Sequence, residues 1–301
     1  MSGEAVTARL YVIVAKYAPT AVVFRRGPTR HFQMLLWDLK TDRITPGQWL
    51  KHRVYTENAD LSPDGRFLIY NAATYSPNHQ LGGGYVAISK PPFFTALALY
   101  PTPEFEEGGC FFLGNRRFWV GSSAEDLGKG LLLRSNGLRR VPRFPETLLR
   151  KNIEDWPFAR RDGWTNVAMS VTKGEDGRLL RRNWTMDKGL GEGFTLTQMR
   201  TQMLSYKIAD LRAKYPWQSF ELHSRDGVLE LHAEWADVWR NDVLFAREGC
   251  LFRMRAGEKP SLVANLNANK FVSVRAPYAG LQTARRERND PKWYSLRGEV
   301  H

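Results

Sequence analysis

The sequence predicts an all-β fold, and three observations carry that reading. They are a wealth of aromatic side chains, a high density of glycine-containing turns between short apolar runs, and a strand–turn unit that recurs along the chain. Ten Trp, sixteen Phe and eleven Tyr favour strands, because aromatic and β-branched side chains fit a half-buried pleated surface. A hydrophobic fraction of 43% is ample for a buried core and excludes disorder as a description of the whole chain. At 301 residues, two domains or one large all-β domain are both open.

The turns come first. Pro63-Asp64-Gly65, Asn136-Gly137, Asp162-Gly163, Asp176-Gly177, Asp226-Gly227 and Glu248-Gly249 punctuate the chain. Glycine supplies the positive φ of a tight hairpin without a Cβ penalty. Apolar runs flank several of them, such as Arg66 to Tyr70, Val228 to His232 and Cys250 to Met254. Short strands with turns at this density suggest a sandwich, a barrel or a propeller.

Repetition decides among the three. The run Met34 to Asp42, which contains Trp37-Asp38, is followed by Ala59-Asp60-Leu61-Ser62-Pro63-Asp64-Gly65 and the apolar strand after it. A second copy reads from Lys207-Ile208-Ala209-Asp210 to Ala236-Asp237. The spacing from Asp38 to Asp60 and from Asp210 to Asp237 is kept within one loop insertion. Gly109-Cys110-Phe111-Phe112 is echoed by Gly249-Cys250-Leu251-Phe252. The Trp-Asp and Ser-Pro-Asp-Gly pair resembles the blade of a divergent WD40 or TolB-type propeller. With repeats of about 40 to 45 residues, the resemblance implies a single β-propeller of five to seven blades over residues 1–301. It also implies that Asp60 and Asp237 tie a loop to the neighbouring blade through backbone N–H groups, with Gly65 as the turn residue.

Two segments interrupt the pattern. Around 193–216, Leu196, Met199, Met203 and Leu204 match helical spacing better than alternation, so a short helix or loop insertion is expected. The segment 283–301 is polar and Arg-rich, and is expected to close the ring or dock on the surface.

A net charge of +13 favours polyanionic partners, nucleic acid among them. The excess, however, is spread as pairs such as Arg25-Arg26 and Arg116-Arg117, with Arg285, Arg286 and Arg288 as the densest group. Those three are the candidate anion-binding residues; solvated arginines on strand edges are the plainer reading. Cys110 and Cys250 form no Cys-x-x-Cys and fit a reduced interior, so a cytoplasmic protein is expected. The apolar run Leu10 to Ala15 meets Lys16 and Pro19 and reads as a first strand, not a membrane span.

No catalytic motif stands out. The six histidines show no His-x-x-x-His spacing, so no metal is expected, and no phosphate loop or nucleophile elbow is present, so no cofactor is expected. The most unusual segment holds Gly82, Gly83, Gly84 and Tyr85, then Pro91, Pro92 and Phe93. It is the candidate partner-binding loop, with a bulged strand whose phenylalanines face the core as the plainer reading. The expected function is a non-catalytic protein–protein interaction scaffold within a larger assembly. The alternatives are a propeller that binds nucleic acid or another polyanion, and a hydrolase with a carboxylate site in the central funnel.

Overall fold

A computed structural model describes residues 7–27, 31–74, 83–102, 109–121, 131–132, 136–142, 161–175, 177–203 and 217–279. The chain divides into two compact units. The first is Met1–Phe144 with Asn267–His301, and the second is Pro145–Leu266.

In the first unit, β1 (Arg9–Val14), β2 (Thr20–Arg26), β3 (Phe32–Asp38) and β4 (Arg43–Leu50) pair in chain order as an antiparallel sheet. The next four strands, β5 (Arg53–Leu61), β6 (Leu68–Ala73), β7 (Gly84–Ser89) and β8 (Ala96–Thr102), form a second sheet with β11 (Leu131–Leu132). A third sheet holds β9 (Cys110–Phe112), β10 (Arg117–Val120) and β12 (Arg139–Arg140), the last paired parallel to β10.

The second sheet is buried on both faces. Leu68, Tyr70, Ala87 and Leu99 pack with Val22, Phe24 and Met34 of the first sheet. Ile69, Val86, Ile88 and Tyr100, on the alternate positions, pack with Phe112, Phe118 and Val120 of the third. Every residue of β6 and β7 is buried, which is why these strands lack a polar alternation: a strand covered on both sides is apolar on both. Trp37 is fully buried, and side chains of that kind contribute about 1.5–3 kcal/mol each to the fold.

The chain returns to this unit after Leu266. Asn267 accepts the Ala8 N–H on its Oδ1 at 2.8 Å and a hydrogen bond from Arg25 on its carbonyl at 3.0 Å. Gln48 donates to the Val274 carbonyl at 2.8 Å, and Ala276 and Tyr278 enter the second core cluster.

The second unit holds a five-stranded antiparallel sheet, β13 (Thr165–Lys173), β14 (Leu179–Gly191), β15 (Phe194–Met203), β16 (Trp217–Ser224) and β17 (Gly227–Glu230), paired in chain order. A four-stranded sheet follows, β18 (Trp235–Trp239), β19 (Asp242–Arg247), β20 (Cys250–Arg255) and β21 (Ser261–Asn265). Met186, Leu196, Phe220 and Leu222 of one sheet share a core with Ala236, Val243, Phe245 and Met254 of the other.

The architecture is all-β, built from small, mostly antiparallel sheets that stack in chain order within each unit, which is consistent with a propeller-like arrangement. One element is corrected. Residues 194–203 form the central strand β15, hydrogen-bonded on both sides, and not a helix. Pairing on two edges outweighs the helical spacing of Leu196, Met199 and Met203, and Thr195, Thr197 and Thr201 supply the β-branched alternation. Residues 204–216 and 283–301 lie outside the described residues. No helix among the described residues is long and apolar enough to cross a membrane.

Candidate functional site

The residues singled out in the sequence fall at separate places. Asp60 is buried at the end of β5. Its Oδ1 accepts the N–H of Leu61 at 3.0 Å and its Oδ2 accepts the N–H of Phe112 on β9 at 2.7 Å. Gly65 has φ +70°, and a Cβ there would lie 2.2 Å from Thr20 Cγ2. The turn around it is held by Ser62, whose hydroxyl donates to Asp64 at 2.6 Å and accepts the N–H of Phe67 at 2.9 Å. Asp237, in the second unit, accepts the N–H of Val238 at 2.7 Å and pairs with Lys188 at 2.6 Å.

The glycine and proline segment does not form a solvent-facing lip. Gly84, Tyr85 and Pro92 are buried, Gly83, Pro91 and Phe93 half-buried, and Gly82 lies outside the described residues. Tyr85 meets the His52 ring nitrogen through its hydroxyl at 2.8 Å, and burial pushes its phenol up from the ordinary range. Phe93 sets its ring edge-on to Tyr278, while Phe94 packs in the first core cluster. The Pro92 carbonyl accepts the N–H of Gln48 at 3.0 Å. These contacts give the segment a packing role in the first unit. Arg285, Arg286 and Arg288 lie outside the described residues. Arg25, half of the first basic pair, is buried and bonded to two carbonyls, those of Gly27 and Asn267.

The concentration of chemistry lies elsewhere, on the five-stranded sheet of the second unit. Cross-strand register aligns Thr165, Asp187, Thr197, Glu221 and Glu230 as one transverse row over all five strands. Paired residues in an antiparallel sheet share a face. The alternate positions, Met186, Leu196, Phe220 and Leu222, fill the core, so the row stands on the opposite face. It carries three carboxylates. Asp187 Oδ1 accepts the Thr197 hydroxyl at 2.8 Å. Glu221 Oε2 lies 3.0 Å from His223 Nε2, and Glu230 Oε1 lies 3.2 Å from His232 Nδ1.

Glu221 and Glu230 face each other directly. The N–H of Leu231 bonds to the carbonyl of Phe220 at 3.0 Å, which makes Phe220 and Leu231 a hydrogen-bonded pair. Glu221 and Glu230 are then a non-hydrogen-bonded pair, the closer kind, with Cα atoms about 4.5 Å apart. Each carboxylate has an imidazole two positions on; Glu221 and His223 lie within β16, where residues i and i+2 share a face, while His232 follows the end of β17. His232 then turns the chain, with φ +46°. A carboxylate that accepts from one ring nitrogen fixes the tautomer and leaves the other nitrogen a proton acceptor. The arrangement is suited to acid–base chemistry.

The sequence carried a signal for this site, Glu221-Leu222-His223 and Glu230-Leu231-His232 on either side of the Asp226-Gly227 turn. A search for helical ligand spacing passes over it. Among the described residues, no three metal-ligating side chains are placed to hold an ion.

No protein-family model and no curated protein sequence matches the chain. Among solved structures, the chain is similar to the AtxE2 isopeptidase at 10% identity and a TM-score of 0.40, over 88% of this chain and 53% of that one. The same enzyme with Astexin3-dC4 bound matches at 10% identity and a TM-score of 0.39, over 87% and 53%. An uncharacterized protein of Listeria monocytogenes matches at 12% identity and a TM-score of 0.28, over 87% and 84%. The chain thus spans about half the length of the isopeptidase.

These likenesses correct the functional expectation. The non-catalytic scaffold rested on the notion that a propeller-like fold suits docking without chemistry. The structures matched over most of this chain are of an isopeptidase, one of them with Astexin3-dC4 bound, so a propeller-like fold is not in itself a reason to expect no chemistry. The scaffold reading is withdrawn.

Proposed function

We propose that the chain is a hydrolase whose acid–base group is the Glu221–His223 pair on the outward face of the five-stranded sheet. The observation that carries this reading is the 3.0 Å contact between Glu221 Oε2 and His223 Nε2, with both side chains partly open to solvent. His223 Nδ1 would take a proton from an attacking water. Glu221 would hold the ring and stabilise the imidazolium that forms, since a carboxylate orients an imidazole and favours its charged state. Glu230, directly across, would add negative charge where a cationic substrate or a developing positive charge is accommodated. The three carboxylates of the row form an acidic island in a chain of net charge +13, which supports selection for cationic substrates.

The finer fold reading, a divergent propeller of five to seven blades, is part of this proposal and is supported by the five successive small sheets among the described residues. Peptide amides are the substrate class to test first, because the isopeptidase of similar fold carries a bound Astexin3-dC4. The experiment is a hydrolysis screen over cationic and neutral peptides with wild type and His223→Ala. General acid–base groups contribute about 10²–10⁴-fold, so His223→Ala should lose at least a hundredfold in turnover with an unchanged melting temperature. Equal turnover in the two proteins would overturn the assignment.

A further inference from the structure

We infer that β17 is a docking edge for an extended peptide that carries a basic side chain beside Glu230, and that this peptide is the substrate strand of the hydrolase proposed above.

β17 is the last strand of its sheet, and all four of its residues are exposed. Val228 and Leu229 are 59% and 50% exposed, among the largest apolar exposures of the described chain. The opposite edge of the same sheet, β13, is interrupted by two register shifts and ends on Lys173. Bulges and lysine are devices that keep an edge from pairing. β17 has neither, and its register with β16 runs without a break from Ser224↔Gly227 to Glu221↔Glu230.

The register also fixes which backbone groups are free to pair. Leu229 sits in a hydrogen-bonded pair with Leu222, two steps from the Phe220 and Leu231 pair. Val228 and Glu230 occupy the alternate positions, so their N–H and C=O groups point away from β16. An antiparallel strand laid on this edge would exchange main-chain hydrogen bonds with Val228 and Glu230, and strand addition of this kind draws affinity from main-chain bonds and specificity from side chains.

The occupant follows from the side chains of β17. In chain direction the added segment would place its residues opposite Glu230, Leu229 and Val228 in turn. The first shares the outward face with Glu230 and Glu221 and suits Lys or Arg by charge. The second lies beside Leu229 and suits an apolar side chain, as does the third, beside Val228. The recognised sequence is therefore Lys-Leu-Val or its Arg equivalent. A second copy of β17 on the same edge would set Leu229 against Leu229 and leave both Glu230 side chains without a cation, so charge favours the basic peptide.

The test uses the full chain and a fluorescein-labelled seven-residue peptide with Lys-Leu-Val at its centre, followed by fluorescence anisotropy. Replacing the peptide Lys by Glu should weaken binding at least tenfold. N-methylation of the peptide Val, whose N–H faces β17, should do the same, whereas N-methylation of the Leu, whose N–H faces away, should not. On the protein side, Glu230→Lys should reverse the preference between the Lys and Glu peptides. Val228→Pro removes an N–H that β16 does not use, and should abolish binding. Indifference to the Val N-methyl group, or equal binding of the Lys and Glu peptides, would overturn the inference. So would a concentration-dependent dimer that Val228→Pro dissolves, because the edge would then belong to a second copy. The hydrolase reading fails separately. Binding that follows these rules with no turnover of any peptide sinks the activity, and with it the peptide's role as substrate, but not the docking edge; turnover lost in His223→Ala without strand-specific binding sinks the docking edge alone.

Discussion

Asp60 and Asp237 follow an alanine at equivalent places in the two recurrent segments, and each accepts the N–H of its own next residue. Their second contacts differ in kind. Asp60 reaches a backbone N–H on a strand 52 positions away at 2.7 Å, whereas Asp237 meets the Lys188 ammonium at 2.6 Å. Asp60 is buried at 6% exposure, and its tie joins two strands of separate sheets. The Lys188–Asp237 pair keeps 16% and 18% of its side-chain surface. The recurrent dipeptide therefore specifies the local corner, while surrounding packing decides whether the carboxylate's further contact is a structural tie, made by the other oxygen in Asp60, or an ion pair, made by the same Oδ1 in Asp237.

Breaking the first corner should have the largest effect. Asp60→Ala removes the buried charged acceptor to which the Leu61 and Phe112 N–H groups donate. With such bonds worth roughly 1.5–3 kcal/mol each, a loss of about 3–4 kcal/mol is expected in urea unfolding of the first unit. A loss below 1 kcal/mol would show that the tie is dispensable.

Gly65→Val, in the turn that follows the same corner, should come second. A β-branched residue at φ +70° is strained by roughly 1–3 kcal/mol, and its Cβ would meet Thr20 Cγ2. An unchanged denaturation midpoint would contradict both arguments. Asp237→Ala should cost less, about 1–2 kcal/mol, because the pair it breaks is partly solvated. Lys188→Met should recover part of that loss in the double variant, since it removes the stranded ammonium while its apolar chain still lies over the Trp164 ring.

The smallest effect sharpens the comparison between the units, as each contains one of the two cysteines. Cys110 is buried and its thiol is pushed well up by burial and by Asp60, and it donates to the Asn58 carbonyl at 3.1 Å. Cys250 is less deeply placed, and burial raises its thiol less strongly. The thiolate is the reactive form, so iodoacetamide should modify Cys250 at least tenfold faster than Cys110 in the native chain, as read by mass spectrometry. Asp60→Ala should narrow the gap from the Cys110 side.

The strands were legible in the sequence where turn chemistry marked them. Ser62-Pro63-Asp64-Gly65 locates the β5–β6 hairpin because the bonds that close the turn, those of Ser62, Asp64 and Gly65, are local. β15 was misread because its pattern is set by partners on both sides, which lie up to 28 residues away in register with it. The candidate site was visible as two Glu-Leu-His triplets, but only the cross-strand register shows that they face one another. The segment of Gly83, Gly84, Tyr85, Pro91 and Pro92 looked like a binding loop because glycine and proline are common in loops. In the fold they serve close packing; a Cβ on Gly47 would lie 1.9 Å from the Pro92 carbonyl oxygen.

The return of the chain at Asn267 sets an order of events during synthesis. Ala8 and Arg25 find their partners on Asn267 only after the whole of Pro145–Leu266 has left the ribosome. At translation rates of roughly 5–20 residues per second, that interval is on the order of ten seconds. Throughout it the sheets of the N-terminal part stand with Gln48 and the Phe112 core lacking Val274, Ala276 and Tyr278. The contiguous second unit has no such wait. A nascent chain of this protein thus carries an incomplete first half until the segment after Leu266 has been made.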